Sequence, residues 1–492
     1  MKKIASLTLG LLLTACAVGP DYEKPATPGG MTAEGAFVEG ARLSAVNAQA
    51  LPEKWWRLYD DPNVDRLVTE ALAHNTDIRQ SAANLQRARA VLSEARGRRL
   101  PETNVAGQYT RQRTGSNSFG AQFGGTQQIP SFETDLFTAG LDASYELDLF
   151  GGVSRAIEAA RGDVDAAAAQ VDAARISVAA ETARAYALAC SNASQIAVAR
   201  ETVKLQEQTL ALTRRLFDSG RGQRRDVEQA DALLAQTQAQ VPGLEAERRA
   251  ALYALATLTG RPPAETDAVA ASCARPPQVT QIIPVGDGTA LLQRRPDVRA
   301  AERELAADTA RVGIATAALY PSISLLGSAS LASTTIDNLV DNDSFNFSLG
   351  PLISWSFPNQ TAARSRLRQA EATVEGSLAA FDGTVLTALR EVEQSLARYA
   401  GELDRNRALQ RAERSAGEAA RLSRLRFDYG AESFLQLIES ERQRADARAA
   451  RAQSDAALAD AQVSLFRALG GGWENAPEVT RRTPAGAVAA TE

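Results

Sequence analysis

Acid–base or nucleophilic catalysis needs a histidine, a thiol or a carboxylate set beside its partner, and this chain of 492 residues holds one histidine and three cysteines. His74 stands alone, which closes off a histidine cluster for a hydrolytic site or a metal. It reads as a surface residue near a helix start. Cys190 and Cys273 are far apart and lack CxxC spacing, so neither a zinc site nor a disulfide framework is indicated. A single bond between them stays open in an oxidising compartment. The expectation is a protein that is not an enzyme and carries no cofactor and no metal. A net charge of −5 gives no reason to expect nucleic acid.

The remaining thiol has a different context. Met1 to Ala15 has the form of a secretory leader, with Lys2 and Lys3 as its charged start and Ile4 to Leu13 as an apolar stretch too short to span a bilayer. It ends in Leu13, Thr14, Ala15 and Cys16, which resembles the lipobox of bacterial lipoproteins. That resemblance makes Cys16 the lipidated first residue of the mature chain. Ala17 follows where a lipoprotein retained at the inner membrane would carry Asp, so the outer membrane is the expected address.

The elements that must position any site come in two related halves, about 60–260 and 285–470. Asp77, Arg79, Leu85, Ala90 and Pro101 recur as Asp297, Arg299, Leu305, Ala310 and Pro321; Glu181, Leu212, Arg214, Phe217, Asp218 and Gly220 recur as Glu391, Leu422, Arg424, Phe427, Asp428 and Gly430. No proline interrupts Gly152 to Phe217, and Ala, Arg, Glu and Gln are in excess there, predicting one helix roughly 100 Å long. Its apolar positions recur every seven residues at Ile157, Val164, Val171 and Val178, then at Ile196, Val203, Leu210 and Phe217, with a stutter between the two sets. Ala362 to Phe427 repeats the design on two tracks, Leu367, Val374 and Phe381, and Leu378, Val385, Val392 and Tyr399. Each long helix is followed by a glycine-bearing turn and a return helix, Asp226 to Thr259 and Phe434 to Leu469, making helical hairpins.

Between the helices the period falls to two. Leu141, Ala143, Tyr145, Leu147 and Leu149 alternate with Asp142, Ser144, Glu146 and Asp148, and Phe345, Phe347, Leu349, Ile353, Trp355 and Phe357 with Asn346, Ser348, Ser354 and Ser356. The strands are expected at about 103–113, 137–150, 322–331 and 345–357. Beyond the leader no segment offers the roughly 20 apolar residues of a spanning helix, so a membrane crossing would need a closed barrel. Four strands cannot close one; three chains would supply about twelve. Tyr320, Phe150 and Trp355 at strand ends fit an aromatic girdle.

Val18 to Pro25 (VGPDYEKP), Lys54 to Ile78 (KWWRLYDDPNVDRLVTEALAHNTDI) and Leu291 to Glu302 (LLQRRPDVRAAE) are similar to recurring strings of the outer-membrane factor family of tripartite efflux systems, the TolC-like proteins, and most closely its NodT-like lipoprotein branch. The resemblance runs from Ala15 to about Gly471. It implies a mainly α protomer, duplicated, with long helical hairpins forming a periplasmic α-barrel and four strands given to a trimeric twelve-stranded β-barrel. The domains implied are a leader (1–15), an anchored collar segment (16–60), a first repeat (61–260), a Pro-rich linker of the collar (261–290), a second repeat (291–470) and a tail (471–492).

The resemblance also implies roles. Three chains would form a passive exit duct for small molecules, working with a periplasmic adaptor and an inner-membrane transporter of the resistance-nodulation-division type. The turns at Arg215–Val227 and Arg424–Leu437 would form the periplasmic tip, with Arg215, Gly220, Arg221, Asp226 and Gly430 meeting the adaptor. Gly220 and Gly430 also suit helix ends that need positive φ. Glu439 matches the family's ring of gate acids; Arg424 and Asp428 join it, Asp428 as a latch for the basic turn of Arg221, Arg224 and Arg225. Gln436 stands where the family often has a second carboxylate. Two rival readings remain, a type I protein-secretion outlet of the same fold and a secreted coiled-coil structural lipoprotein.

Overall fold

The computed structural model describes residues 17–30, 34–114 and 132–480, so the leader and Cys16 lie outside the described residues. In chain order the first half holds α1 (Val38–Arg42), β1 (Val46–Asn47), α2 (Pro62–His74), α3 (Thr76–Gly97), β2 (Glu102–Thr114), β3 (Phe132–Leu147), α4 (Gly152–Asp218) and α5 (Arg224–Leu258). The second holds α6 (Ala268–Ala271), β4 (Ile283–Pro284), α7 (Gly288–Arg294), α8 (Pro296–Ala317), β5 (Ser322–Ser333), β6 (Phe345–Ser354), α9 (Thr361–Asp428) and α10 (Phe434–Ala468). The duplication is visible in the lengths: α3 and α8 each have 22 residues, α4 and α9 have 67 and 68, and α5 and α10 each have 35. Among the described residues no helix is long and apolar enough to cross a membrane.

Two compact units form, and each draws on both repeats. The first comprises Met1–Lys24, Gln86–Asp165 and Glu302–Ala379. Its centre is an antiparallel sheet in the order β2-β3-β5-β6. Residues directly across from one another share a face, so the register sorts the side chains into rows. Val105, Leu141, Ala329 and Phe347 form one row; the next is Asn104, Asp142, Ser328 and Ser348. The apolar rows are not covered: Val105 is 80 % exposed, Phe347 76 % and Leu349 73 %. The sheet therefore has one polar and one bare apolar face, as the period of two predicts.

Two strands, β3 and β6, differ most from expectation at their ends. β3 begins earlier and stops at Leu147, because Asp148 turns to accept the first N–H groups of α4, from Val153 (2.9 Å) and Ser154 (2.8 Å). β6 stops at Ser354, where the Trp355 indole donates to the Leu319 carbonyl (3.1 Å) instead of pointing along the sheet. Beside the sheet Leu92, Val153, Ile157 and Ala160 pack α3 onto α4. Residues 17–24 are fastened to the same helices. Val18 N–H donates to Phe150 O (3.2 Å), and Asp21 meets Arg155 (2.6 Å), whose side chain is 6 % exposed. A Cβ at Gly151 (φ 77°) would fall 2.6 Å from Ala17 Cα, so only glycine fits under this strap.

The second unit takes Pro25–Leu85, Ala166–Ala301 and Ala380–Glu492. Cross-helix contacts give its lateral order as α5-α4-α10-α9: Arg200 meets Glu245 (2.6 Å), Arg448 meets Glu201 (2.7 Å), and Arg451 donates to the buried Asn406 (2.9 Å). The heptad positions Val171, Val178, Ile196 and Leu210 are buried, as are Phe381, Val385, Val392 and Tyr399. Phe217 is 43 % exposed because α4 has only one residue left before its turn; Leu378, in the part of α9 that belongs to the first unit, is 38 % exposed. Packed against this layer, Trp55 stacks on Phe466 (centroids 4.7 Å apart) and both are fully buried. β1 pairs with β4 in parallel, and Arg66 grips Asp267 through two hydrogen bonds (2.9 and 3.0 Å).

The bond the sequence left open is present: Cys190, fully buried on α4, is joined to Cys273 in the linker, with Cα atoms 5.1 Å apart. It closes a sequence separation of 83 residues, for which chain entropy alone predicts about 4.5 kcal/mol. Replacing either cysteine with serine should lower stability by about 2–4 kcal/mol and add free thiol to the partner. Thermal unfolding with and without reductant checks this; an unchanged midpoint would contradict the covalent link.

Candidate functional site at the helical hairpin tips

Both hairpins of the second unit reverse through the same device. Gly220 and Gly430 have φ of 70° and 73°, which glycine alone adopts without a penalty. Arg221 N–H reaches Leu216 O (2.9 Å) and Gly220 N–H reaches Phe217 O (2.9 Å); Ala431 and Gly430 do the same to Arg426 O (2.8 Å) and Phe427 O (2.9 Å). These are paired Schellman closures that satisfy the last carbonyls of α4 and α9. A Cβ at either glycine would meet nothing within 4 Å, so the requirement is for the left-handed backbone and not for room. α10 then starts from Ser433, whose Oγ accepts from Gln436 N–H (3.3 Å).

The first turn is basic and open. Arg215 and Arg221 are exposed and form no ion pair among the described residues. Arg224 meets Glu228 (3.5 Å) and Arg225 meets Asp226 (3.6 Å), both on α5 itself. Asp428 is exposed and paired with none of these arginines, so the expected latch between the hairpins does not form within one chain. Near the second turn Tyr429 is 82 % and Leu435 66 % exposed, an apolar contribution to an otherwise charged tip.

The three expected gate residues separate. Glu439 is exposed and accepts only from Gln443 Nε2 (3.2 Å). Arg424 turns to a different acid: its Nη2 lies 3.1 Å from Glu441, whose other oxygen lies 3.4 Å from Arg444. Glu441 is 6 % exposed, held between two guanidiniums where α9 meets α10. Sequence reasoning did not single out Glu441. The available signal was spacing: Glu441 follows the buried Leu437 by four residues and shares its face, whereas Glu439 points to the opposite side. Farther along the helices the Arg448 hydrogen bond holds the Glu201 carboxyl below its ordinary range, which keeps the α4–α10 contact charged. Among the described residues no group of three or more His, Cys, Asp or Glu side chains could hold a metal.

Known proteins share this fold. The family model described as outer membrane efflux protein matches residues 67–261 and 289–471. The outer membrane protein OprJ of Pseudomonas aeruginosa is 31 % identical over 474 residues, covering 96 % of each chain. Nodulation protein T of Rhizobium leguminosarum bv. trifolii is 30 % identical over 463 residues, 94 % of this chain and 96 % of the other. Among solved structures, the outer-membrane channel OprN superposes with a TM-score of 0.85 at 33 % identity, over 93 % of this chain and 100 % of that one.

The buried acid and the exposed acid should behave differently. Glu441→Gln weakens two charge-assisted contacts and should loosen the second tip by about 1–3 kcal/mol. Amide hydrogen exchange across 424–441 should then speed up at least about five-fold, while Glu439→Gln leaves it unchanged. Equal effects of the two substitutions would contradict the packing described.

Proposed function

Because this chain belongs to the outer membrane efflux protein family, we propose that three copies of it close into the passive exit duct of a tripartite efflux pump. The protein is an outer-membrane channel subunit, and its relatives are channel proteins and not enzymes. The observation that carries the reading is the four-stranded sheet which, among the described residues, has a polar face, a bare apolar face and two open edges, β2 and β6. Strands of 10 to 16 residues are long enough to cross hydrocarbon at a tilt. The apolar face would meet lipid and the polar face would line the lumen. Joining β6 of one copy to β2 of the next would give twelve strands and leave no edge.

The strap at residues 17–24 supports lipidation of Cys16. It holds Ala17 against Gly151, four residues beyond the end of β3, so an acyl chain on the preceding residue would start near the helix-proximal end of the sheet. The tips carry the other roles. Arg215, Gly220, Arg221, Asp226 and Gly430 form the surface offered to a periplasmic adaptor, which would couple the duct to a resistance-nodulation-division type transporter. Glu439 acts as the gate charge, with Asp428 free to pair in trans and Arg424 setting the bend of α9 against α10 through Glu441.

Three copies of Glu439 around an axis raise the local cation concentration. Purified channel in planar bilayers should therefore conduct with cation preference, and Glu439→Gln should reduce that preference. Conduction with unchanged selectivity would remove Glu439 as the gate charge; absence of conduction would contradict the duct.

A further inference from the structure

All four strands meet the helices at one end of the sheet, because β2 follows α3, β3 leads to α4, β5 follows α8 and β6 leads to α9. That rim is unusually basic. Arg96, Arg98 and Arg99 close α3, and Arg364, Arg366 and Arg368 open α9; all six are exposed. None of them forms an ion pair among the described residues, in a chain whose arginines are otherwise widely paired. Arg99 and Arg368 have only hydroxyl partners, Ser154 (3.3 Å) and Ser365 (3.3 Å). Of the nearby acids, Glu102 and Glu146 fall on the polar face by register and Asp148 is occupied at the start of α4, leaving Glu94 on α3 and Glu371 on α9 against six arginines.

The opposite end of the sheet has the reverse balance. There Arg111 and Arg113 are outnumbered by Glu133, Asp135, Asp337, Asp341 and Asp343. Arg111 already meets Glu133 (2.8 Å) and Tyr109 donates to Asp135 (2.9 Å). Between the basic rim and the apolar face lie two aromatic stacks, Phe150 on Tyr320 (4.6 Å) and Trp355 on Phe357 (4.7 Å). Such rings, part apolar and part polar, suit the headgroup boundary of a bilayer.

We infer that the helix-proximal rim is a docking surface for anionic phospholipid headgroups of the leaflet on that side. The inference rests on the apolar face lying in the membrane. The first two turns of α9 place Arg364 and Arg368 on one flank and Arg366 on the other, so whichever flank faces lipid presents a guanidinium. An arginine has the reach to lay its stem along the aromatic rings and deliver its planar fork to a phosphate. The rim is continuous with the apolar face, so a lipid whose tail covers Leu349 and Ile353 brings its headgroup to this belt. The sheet is thereby charged to hold one leaflet electrostatically and leave the other to hydrophobic contact alone.

Trp355 sits between face and rim and reports directly. Full-length protein is placed in phosphatidylcholine vesicles containing a minor fraction of either phosphatidylglycerol or phosphatidylcholine with brominated acyl chains, and the indole signal missing from a Trp355→Phe variant is followed. Brominated phosphatidylglycerol should quench at least about five-fold more per mole, with the preference shrinking in high salt. Arg96→Gln, Arg99→Gln, Arg364→Gln and Arg368→Gln together should bring the ratio to about one, and the same four changes to lysine should keep it. Equal quenching by the two lipids in the unaltered protein, or a preference untouched by the glutamines, overturns the inference and leaves the channel intact. Quenching by neither lipid would place the sheet outside the bilayer and overturn the channel reading with it.

Discussion

Unpaired peptide groups cannot remain on a strand edge inside hydrocarbon, where each costs several kcal/mol, and that constraint governs how this chain is built. β2 and β6 each leave about half of their backbone groups without a partner, and the face they share is too apolar for water. A single copy has no way to relieve both problems. Copies joined edge to edge in a ring relieve them together, since the same closure that pairs the edges turns every apolar row outward. The bare face and the open edges are thus one feature seen from two directions.

The duplication distributes this demand evenly. Each repeat sends a 22-residue helix into the sheet, contributes two strands, and returns through a helix of 67 or 68 residues and a 35-residue partner. Alanine-rich faces let the helices of the second unit pack closely in one layer, while ion pairs between neighbours sit mostly at the surface, where each contributes only about 0–1 kcal/mol. Glu441 is one of the buried ones, as is Arg295 where it meets Glu391 of α9. A carboxylate 6 % exposed between Arg424 and Arg444 is tolerated only while both partners stay in place, so a rearrangement of charge near the second tip has consequences that the surface pairs do not.

Much of this was legible in the residues. Seven-residue spacing located the long helices to within a residue or two, since a proline-free, alanine-rich run has few alternatives, and strict alternation located the strands because each has two unlike environments. Glycines 220 and 430 announced the turns through the backbone they alone permit. What spacing did not give was tertiary choice. Phe217 and Leu378 obey the heptad yet find no neighbour to cover them, and β3 ends where Asp148 prefers a helix start to a ladder. Glu441 was not singled out, lying two residues from Glu439 and on the opposite side of the helix. The Cys190–Cys273 bond joins a long helix to a distant linker, and no local pattern encodes that meeting.

The central claim is that this sheet is one third of a closed barrel. Electron microscopy of full-length protein extracted from membranes in detergent tests it directly. The account predicts a threefold particle in which β6 of each copy is hydrogen-bonded to β2 of the next, with the row of Val105, Leu141, Ala329 and Phe347 facing the detergent belt. A monomer, or an assembly in which either edge remains open, would contradict it.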